Sequence, residues 1–279
     1  MKDRNVIITG GNAGIGFETA KEIARLGANV YIVGRDKIKV ENAVQQLVAD
    51  TGNKNINYFI ANMSSQKSVR ELATQIKSKL QKIDVLINNA GGVFPDFKLS
   101  EDGLEMTIAT NHFAYFLLTT LLLDLVKKSD YARIVNVASG SHYRGKIDFE
   151  SFTQNKGYFI LKAYEQSKLA NVLFSLDLAD RLKDTGVTVN CLHPGFVKTD
   201  IGNKDTSWYA KLFWTLSSSI GGLSVKDGAK TSIYLATSDE VKGVTGKYFE
   251  KCKVKEPASL AKDKNLQKEL WIFTEKHLN

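Results

Sequence analysis

The chain has 279 residues, 43% hydrophobic and 24% charged, which excludes a disordered, collagenous or coiled-coil protein and allows one large α/β unit or two small domains. Lys and Arg outnumber Asp and Glu by 38 to 30, a net charge of +8, yet the basic residues are scattered. The densest run, Lys247, Lys251, Lys253 and Lys255, is interleaved with Glu250 and Glu256 and reads as solvated surface, not as a nucleic-acid face.

In chain order, residues 5–9 form a short apolar run that predicts a strand. Residues 15–26 then place Ile15, Thr19, Ile23 and Leu26 on one helical face. A second strand is expected at 30–33, followed by a charged helix to about residue 50. A third strand at 56–61 leads into a helix at 65–80. Further strands are expected at 84–87, 133–137 and 187–192, with long helices at 104–127 and 159–182 before the last two. Another helix lies near 226–237. Only three prolines occur, Pro95, Pro194 and Pro257, and none interrupts these elements. Strands alternating with helices predict a single α/β domain with a central parallel sheet and helices on both faces. The alternation breaks at 202–223, an insertion rich in aromatic residues and serine.

Two cysteines are too few for a disulfide scaffold, and Cys191 in the run 187–192 reads as a buried thiol in a reducing compartment. Val6-Ile7-Ile8 is too short for a signal-peptide core, and 113–123 falls below the ~18 residues of a membrane span. The expectation is a cytoplasmic protein without a transmembrane segment, with peripheral membrane association left open. His112, His142, His193 and His277 lack acidic or cysteine partners at metal-ligand spacing, so no metal site is expected.

The first strand runs into Thr9-Gly10-Gly11-Asn12-Ala13-Gly14-Ile15-Gly16. Glycines between a strand and a helix let backbone approach a pyrophosphate, and the helix start offers free N–H groups to the anion. The spacing G-x-x-x-G-x-G differs from the usual dinucleotide fingerprint, so the glycines alone are weak evidence. Residues Gly34-Arg35-Asp36 should end the second strand beside the adenosine ribose. Arg35 offers a cationic fork suited to a 2′-phosphate, which favours NADP(H) over NAD(H), the alternative being a surface pair with Asp36. Tyr164 and Lys168 stand four apart on a predicted helix and therefore share a face. A nearby ammonium, together with an oxidised nicotinamide, would favour the phenolate and bring the phenol toward working pH.

Together, Thr9–Gly16, Asn88-Asn89-Ala90-Gly91, Asn111, Ser139, Tyr164-Glu165-Gln166-Ser167-Lys168 and Pro194-Gly195 resemble, in that order and over nearly the whole chain, the short-chain dehydrogenases/reductases. The stretches Thr110-Asn111-His112-Phe113, Ser167-Lys168-Leu169-Ala170-Asn171 and Leu192-His193-Pro194-Gly195 look like the retinol-dehydrogenase branch. The interval of 25 residues between Ser139 and Tyr164 is similar to that branch as well.

The resemblance implies a doubly wound Rossmann fold. It makes Tyr164 the general acid in reduction and the base in oxidation. Lys168 would lower its pKa and bind the nicotinamide ribose, Ser139 would polarise the substrate carbonyl, and Asn111 would support a water-mediated proton relay to Lys168. Gly10, Asn12, Gly14, Ile15, Gly16, Arg35, Asn62, Met63, Asn89, Ala90, Gly91, Pro194, Gly195, Val197 and Thr199 would bind the cofactor. Three departures stand out. Asn62 replaces the usual Asp beside the adenine, although its amide oxygen could still accept from the adenine amino group. Ala114-Tyr115 replace a Gly-His pair, and Ala138 replaces a serine.

The expected function is NADP(H)-dependent hydride transfer between nicotinamide and a small-molecule carbonyl or alcohol, lipophilic if 202–223 forms a lid. In that insertion Trp208, Leu212 and Leu216 share a helical face, with Tyr209 and Phe213 beside them. The alternative is a catalytically silent NADP-binding regulatory or scaffold protein on the same fold. The long helices 104–127 and 159–182 resemble those that pair into homodimers or homotetramers in this family.

Overall fold

The computed structural model describes residues 1–197 and 222–278. Among them, strands β1 (Asn5–Thr9), β2 (Asn29–Gly34), β3 (Ile56–Ile60), β4 (Val85–Asn88), β5 (Arg133–Val137), β6 (Thr188–His193), β7 (Lys247–Glu250) and β8 (Lys253–Lys255) form one sheet in the order β3-β2-β1-β4-β5-β6-β7-β8. All pairings are parallel except β7 with β8. The helices are α1 (Gly14–Arg25), α2 (Lys37–Thr51), α3 (Gln66–Lys79), α4 (Met106–Ile108), α5 (Ala114–Val126), α6 (Ile160–Arg181), α7 (Val225–Thr237) and α8 (Lys264–Lys276). This is the single doubly wound α/β domain that the alternation predicted.

The core divides by strand parity, because successive strand side chains point to opposite faces. Ile7, Leu86 and Ile134 pack with α3, α5 and α6, whereas Val6, Ile8, Val85, Ile87 and Val135 pack with α1, α2 and α7. Each such side chain contributes roughly 1.5–3 kcal/mol through burial. After β3 the chain returns to place β4 on the other side of β1, so the strand order reverses between them. The carboxyl ends of β1 and β4 therefore flank the crevice where such sheets bind ligands.

Three elements were not anticipated. Strand β7 hides in the lysine-rich stretch: Tyr248 and Phe249 are buried while Lys247 is exposed, and four residues are too few to show a period. Strand β8 is exposed throughout and carries no apolar signal. Helix α8 covers α5 and α6. The stretch Met106–Val126, 21 residues with a mean hydropathy of 1.3 in its most apolar window, is long and apolar enough to cross a membrane, which residues 113–123 alone did not show. Of that window 72% is buried inside the fold, as in a core helix. The insertion 202–223 falls almost wholly outside the described residues, as does Thr199.

Candidate active site

The β1–α1 turn is built from glycines for steric reasons that can be measured. Gly10 has φ 65° and Gly14 φ 54°, the left-handed region that glycine enters freely. A Cβ on Gly16 would lie 2.3 Å from the Gly10 carbonyl oxygen and 2.5 Å from Asn89 Nδ2. Helix α1 starts at Ala13 with no side-chain cap, whereas Asp36, Ser65, Ser224 and Asp263 cap α2, α3, α7 and α8. The N–H groups at Gly14, Ile15 and Gly16 thus begin a helix whose positive end is not covered by its own sequence. Asn12 reaches over the end of β2, where a Cβ on Gly34 would lie 2.7 Å from its Oδ1.

The segment after β4 holds this turn in shape. Asn89 Nδ2 donates to the carbonyls of Thr9 at 2.8 Å and Gly10 at 3.3 Å. Thr9 Oγ1 in turn accepts the backbone N–H groups of Asn89 and Ala90 at 2.9 and 3.0 Å. Asn89 therefore acts here as a brace for the turn. Thr9 was missed as a site residue, since it carries no signal beyond ending a strand.

Arg35 lies exposed at the end of β2, and Asp36 next to it is engaged as the α2 cap, accepting from Lys39 N at 3.1 Å. Asn62 departs from expectation. Its Oδ1 already accepts from the Ser64 amide at 3.1 Å and the Ser64 hydroxyl at 2.9 Å, so both lone pairs are used inside the turn. The amide oxygen expected to meet an adenine amino group is committed elsewhere. Met63 is buried among the core side chains and has only its backbone to offer. Beyond β6, Gly195 has φ 88°, and a Cβ there would meet Leu223 Cδ1 at 2.4 Å. Val197 bridges to Leu223 and presses on Gly228 of α7, which fixes Pro194–Val197 beside the sheet.

Ser139, Tyr164, Lys168 and Asn111 converge where β4 and β5 end. Ser139 begins the 3₁₀ turn Gly140–Arg144, and its Oγ accepts from Ser141 N at 3.2 Å. That turn is fastened to α6: a Cβ on Gly145 would strike the Glu165 carbonyl at 2.6 Å, and Arg144 pairs with Glu165 at 2.6 Å. Tyr164 sits between the fastened turn and Lys168, whose Nζ is 5.5 Å from the Tyr164 ring centre. Lys168 is 2% exposed and donates to the Val137 carbonyl at 3.2 Å. Asn111 rides on a π-helical turn, Ala109–Phe113, a distortion common at functional sites. Glu105 starts this helical stretch, its carboxylate accepting from Thr107 N and Ile108 N. The Asn111 amide is held by the protein: its Oδ1 accepts from Gly92 N at 2.8 Å, and its Nδ2 donates to Gly92 O and Ser167 Oγ, both at 3.0 Å. Ser167, which spacing did not single out, thereby locks Asn111 to α6 and donates to the Tyr164 carbonyl at 2.8 Å.

Burial dominates the electrostatics of the site. Burial pushes the Tyr164 phenol above its ordinary value, opposed by a hydrogen bond with Ser139, so the protein's own groups do not bring it down. Burial instead brings the Lys168 ammonium down to about 8. Burial likewise pushes the Cys191 thiol up to about 12, as befits an inert core residue. Among the described residues no three His, Cys, Asp or Glu side chains gather into a metal-binding group.

This geometry can be set beside known proteins. The family model of the short chain dehydrogenases matches residues 4–210. The chain is a short-chain dehydrogenase. Human retinol dehydrogenase 13 is 42% identical over 277 residues, covering 96% of this chain and 82% of that one. Mouse retinol dehydrogenase 14 is 39% identical over 99% of this chain and 86% of its own length. These relatives place the chain in the retinol-dehydrogenase-like branch, and such a short-chain dehydrogenase is an oxidoreductase. Among solved structures, an uncharacterised protein of Mycobacterium paratuberculosis superposes with a TM-score of 0.78 at 29% identity, covering 99% of this chain and 94% of its own. A short-chain dehydrogenase from Escherichia coli CFT073 complexed with NADPH gives a TM-score of 0.70 at 25% identity, covering 91% and 98%.

Proposed function

We propose that this short-chain dehydrogenase is an NADP(H)-dependent enzyme interconverting a lipophilic aldehyde or ketone with its alcohol. The observation that carries the reading is the convergence of Ser139, Tyr164 and Lys168 beside a glycine turn that any Cβ at Gly16 would block. The residues present fit a dinucleotide: a close-approach turn, an uncapped helix start and a buried ammonium stand on one edge of the sheet. The NADPH complex of the Escherichia coli relative supports the same cofactor here. When bound, NADPH supplies the hydride.

The chain's own groups divide the remaining work. The N–H groups at Gly14–Gly16 hold the pyrophosphate, Arg35 the 2′-phosphate and Lys168 the ribose hydroxyls. Gly10, Asn12, Ala90, Gly91, Pro194, Gly195 and Val197 would line its course, with Asn89 bracing the turn; Thr199, outside the described residues, is assigned to it by the family resemblance alone. Ser139 hydrogen-bonds the substrate oxygen and fixes its position. Tyr164 delivers a proton to that oxygen in reduction and removes it in oxidation. A phenol held above its ordinary pKa is in the donor state at neutral pH, which suits reduction. Charge from Lys168 would favour the base form in the reverse direction.

The insertion 202–223 forms a lid over the reacting carbon in this reading. On the described residues that flank this stretch, Leu223 N donates to Phe196 O at 2.7 Å. An apolar lid would favour lipophilic substrates by about 0.8 kcal/mol per buried methylene. The names of the curated relatives support a retinoid-like compound. Peripheral association with membranes that hold such a substrate belongs to the same proposal. The test is NADPH oxidation with straight-chain aldehydes of increasing length and with all-trans-retinal. Tyr164→Phe should lose about 10²–10⁴-fold in kcat with NADPH affinity retained. Wild-type kcat in that variant would reject Tyr164 as the acid, and a parent chain that binds NADPH but turns over none of these compounds would favour a silent NADP-binding protein. A kcat/KM that does not rise with chain length would reject the lid.

A further inference from the structure

The turn that carries Ser139 is held from behind by a side chain to which hydride transfer gives no task. His142 lies three residues beyond Ser139 and is fully buried. Its Nδ1 is 2.7 Å from the Ser139 carbonyl oxygen, which also accepts the His142 backbone N–H at 3.2 Å. On the other edge of the ring, Nε2 accepts the backbone N–H of Ala258 at 3.1 Å. A carbonyl only accepts and an amide N–H only donates, so the two partners together require the neutral tautomer with the proton on Nδ1. The ring is clamped between Tyr143 and Tyr248, with centres 4.0 and 4.6 Å away. Tyr143 Oη donates to the Glu256 carbonyl at 2.7 Å, so two adjacent side chains tie the Ser139 turn to residues 256–258.

We propose that His142 is a positioning residue for Ser139: as the Nδ1–H imidazole it holds the Ser139 carbonyl, and through that peptide sets where the Ser139 hydroxyl points relative to Tyr164. This inference rests on the reading of Ser139 as the group that fixes the substrate oxygen. Ser139 is extended, with φ −163° and ψ 157°, and the bond to its carbonyl fixes the backbone from which the side chain projects. The ionisable groups around the ring are His193 at the end of β6, Tyr248, Glu250 and Lys251 on and after β7, Tyr143 on its own turn, and Glu256 before Ala258. Burial, with His193 acting in the same direction, outweighs the hydrogen bond to the Ser139 carbonyl and keeps His142 below its ordinary pKa, so the neutral form prevails at neutral pH. Protonating Nε2 would set a second donor against the Ala258 N–H and release the strut.

The test compares wild type, His142→Leu, His142→Asn and Ser139→Ala on the full chain, with NADPH and all-trans-retinal as probes. Asparagine can place an N–H near the position of Nδ1–H and so keep the bond to Ser139, whereas leucine keeps neither bond. His142→Leu should lower kcat about 10- to 100-fold, the scale of an ångström-level misplacement, with KM and NADPH affinity unchanged. His142→Asn should recover most of that loss. Independently of any substrate, ¹⁵N NMR of the wild-type protein should show His142 protonated at Nδ1 and unprotonated at Nε2. The inference is overturned if the ring is the Nε2–H tautomer or doubly protonated at neutral pH. It is equally overturned if His142→Leu keeps full kcat while Ser139→Ala loses it, or if Asn and Leu fall together in kcat, KM and melting temperature. Full kcat in Ser139→Ala would instead bring down the role of Ser139 itself, and the strut's catalytic meaning with it.

Discussion

Replacing Lys168 by methionine should stabilise the fold while removing activity. Lys168 is 2% exposed, and burial brings its ammonium from the ordinary 10.5 down to about 8. At 1.36 kcal/mol per tenfold, holding that charge at pH 7 costs about 3 kcal/mol. Methionine fills a similar channel without charge. It forfeits the bond from Nζ to the Val137 carbonyl, 3.2 Å long and worth about 1 kcal/mol net. The variant should therefore gain about 2 kcal/mol at pH 7, or ~4–6 °C in Tm for a chain of this size. The sign of the pH dependence follows from proton binding. Between the folded and unfolded values the unfolded lysine holds a proton that the folded one has lost, so wild-type stability rises with pH across that window. The advantage of Lys168→Met should thus shrink to about 1 kcal/mol at pH 9. Thermal melts of both proteins at pH 7, 8 and 9 decide the matter. A variant that melts lower at pH 7, or a gap that stays constant with pH, would refute the claim that the site stores the cost of a buried charge.

Three other outcomes can be checked directly. Arg35→Ala should cost NADPH about ten- to over a hundredfold in affinity, the value of a charge-assisted bond to phosphate, and affect NADH little; fluorescence titration with both cofactors measures it. Gly16→Ala should weaken NADPH binding at least about tenfold, because its Cβ would lie 2.3 Å from the Gly10 carbonyl and the turn must open; retained affinity would show that the turn is not the phosphate cradle. Asn89→Ala should lower both Tm and NADPH affinity, since buried polar groups of the turn lose a partner at about 1–3 kcal/mol; a loss in one measurement alone would contradict a bracing role.

The sequence made legible whatever repeats or whatever sterics forbid. Buried parallel strands such as Val6-Ile7-Ile8 are apolar on both faces and declare themselves. Tyr164 and Lys168 are legible because a helix puts residues four apart on one face. Gly16 is legible because nothing larger fits. What stayed hidden depends on contacts between distant segments. Asn89 braces a turn eighty residues earlier in the chain, and no spacing rule connects them. Asn62 spends its amide oxygen on Ser64, a local turn preference that spacing does not reveal. The burial that raises the Tyr164 phenol was equally hidden, because spacing alone does not show how deeply a side chain is packed.

Helix α8 bears on the quaternary structure expected from the long helices. Trp271 lies against Phe116 of α5 at 4.6 Å and Phe174 of α6 at 6.0 Å between ring centres, with the Arg181 guanidinium 3.7 Å over its ring. Thr274 Oγ1 meets His112 Nε2 at 3.0 Å, and Phe273 stacks on Phe149 at 4.8 Å. The chain's own helix thus occupies apolar surface on α5 and α6 that a second subunit would otherwise bury there. Self-association through these two helices should accordingly be absent, and the wild type should run at the mass of one chain in light scattering at micromolar concentration. Trp271→Ala removes a large aromatic anchor at a partly buried position, where the loss should approach the lower end of the 3–5 kcal/mol seen for fully buried aromatics. Amide exchange in α5 and α6 should then accelerate, and the uncovered phenylalanines should promote concentration-dependent association. A wild-type dimer whose exchange protection maps to α5 and α6 would show that α8 is part of an interface and not a substitute for one.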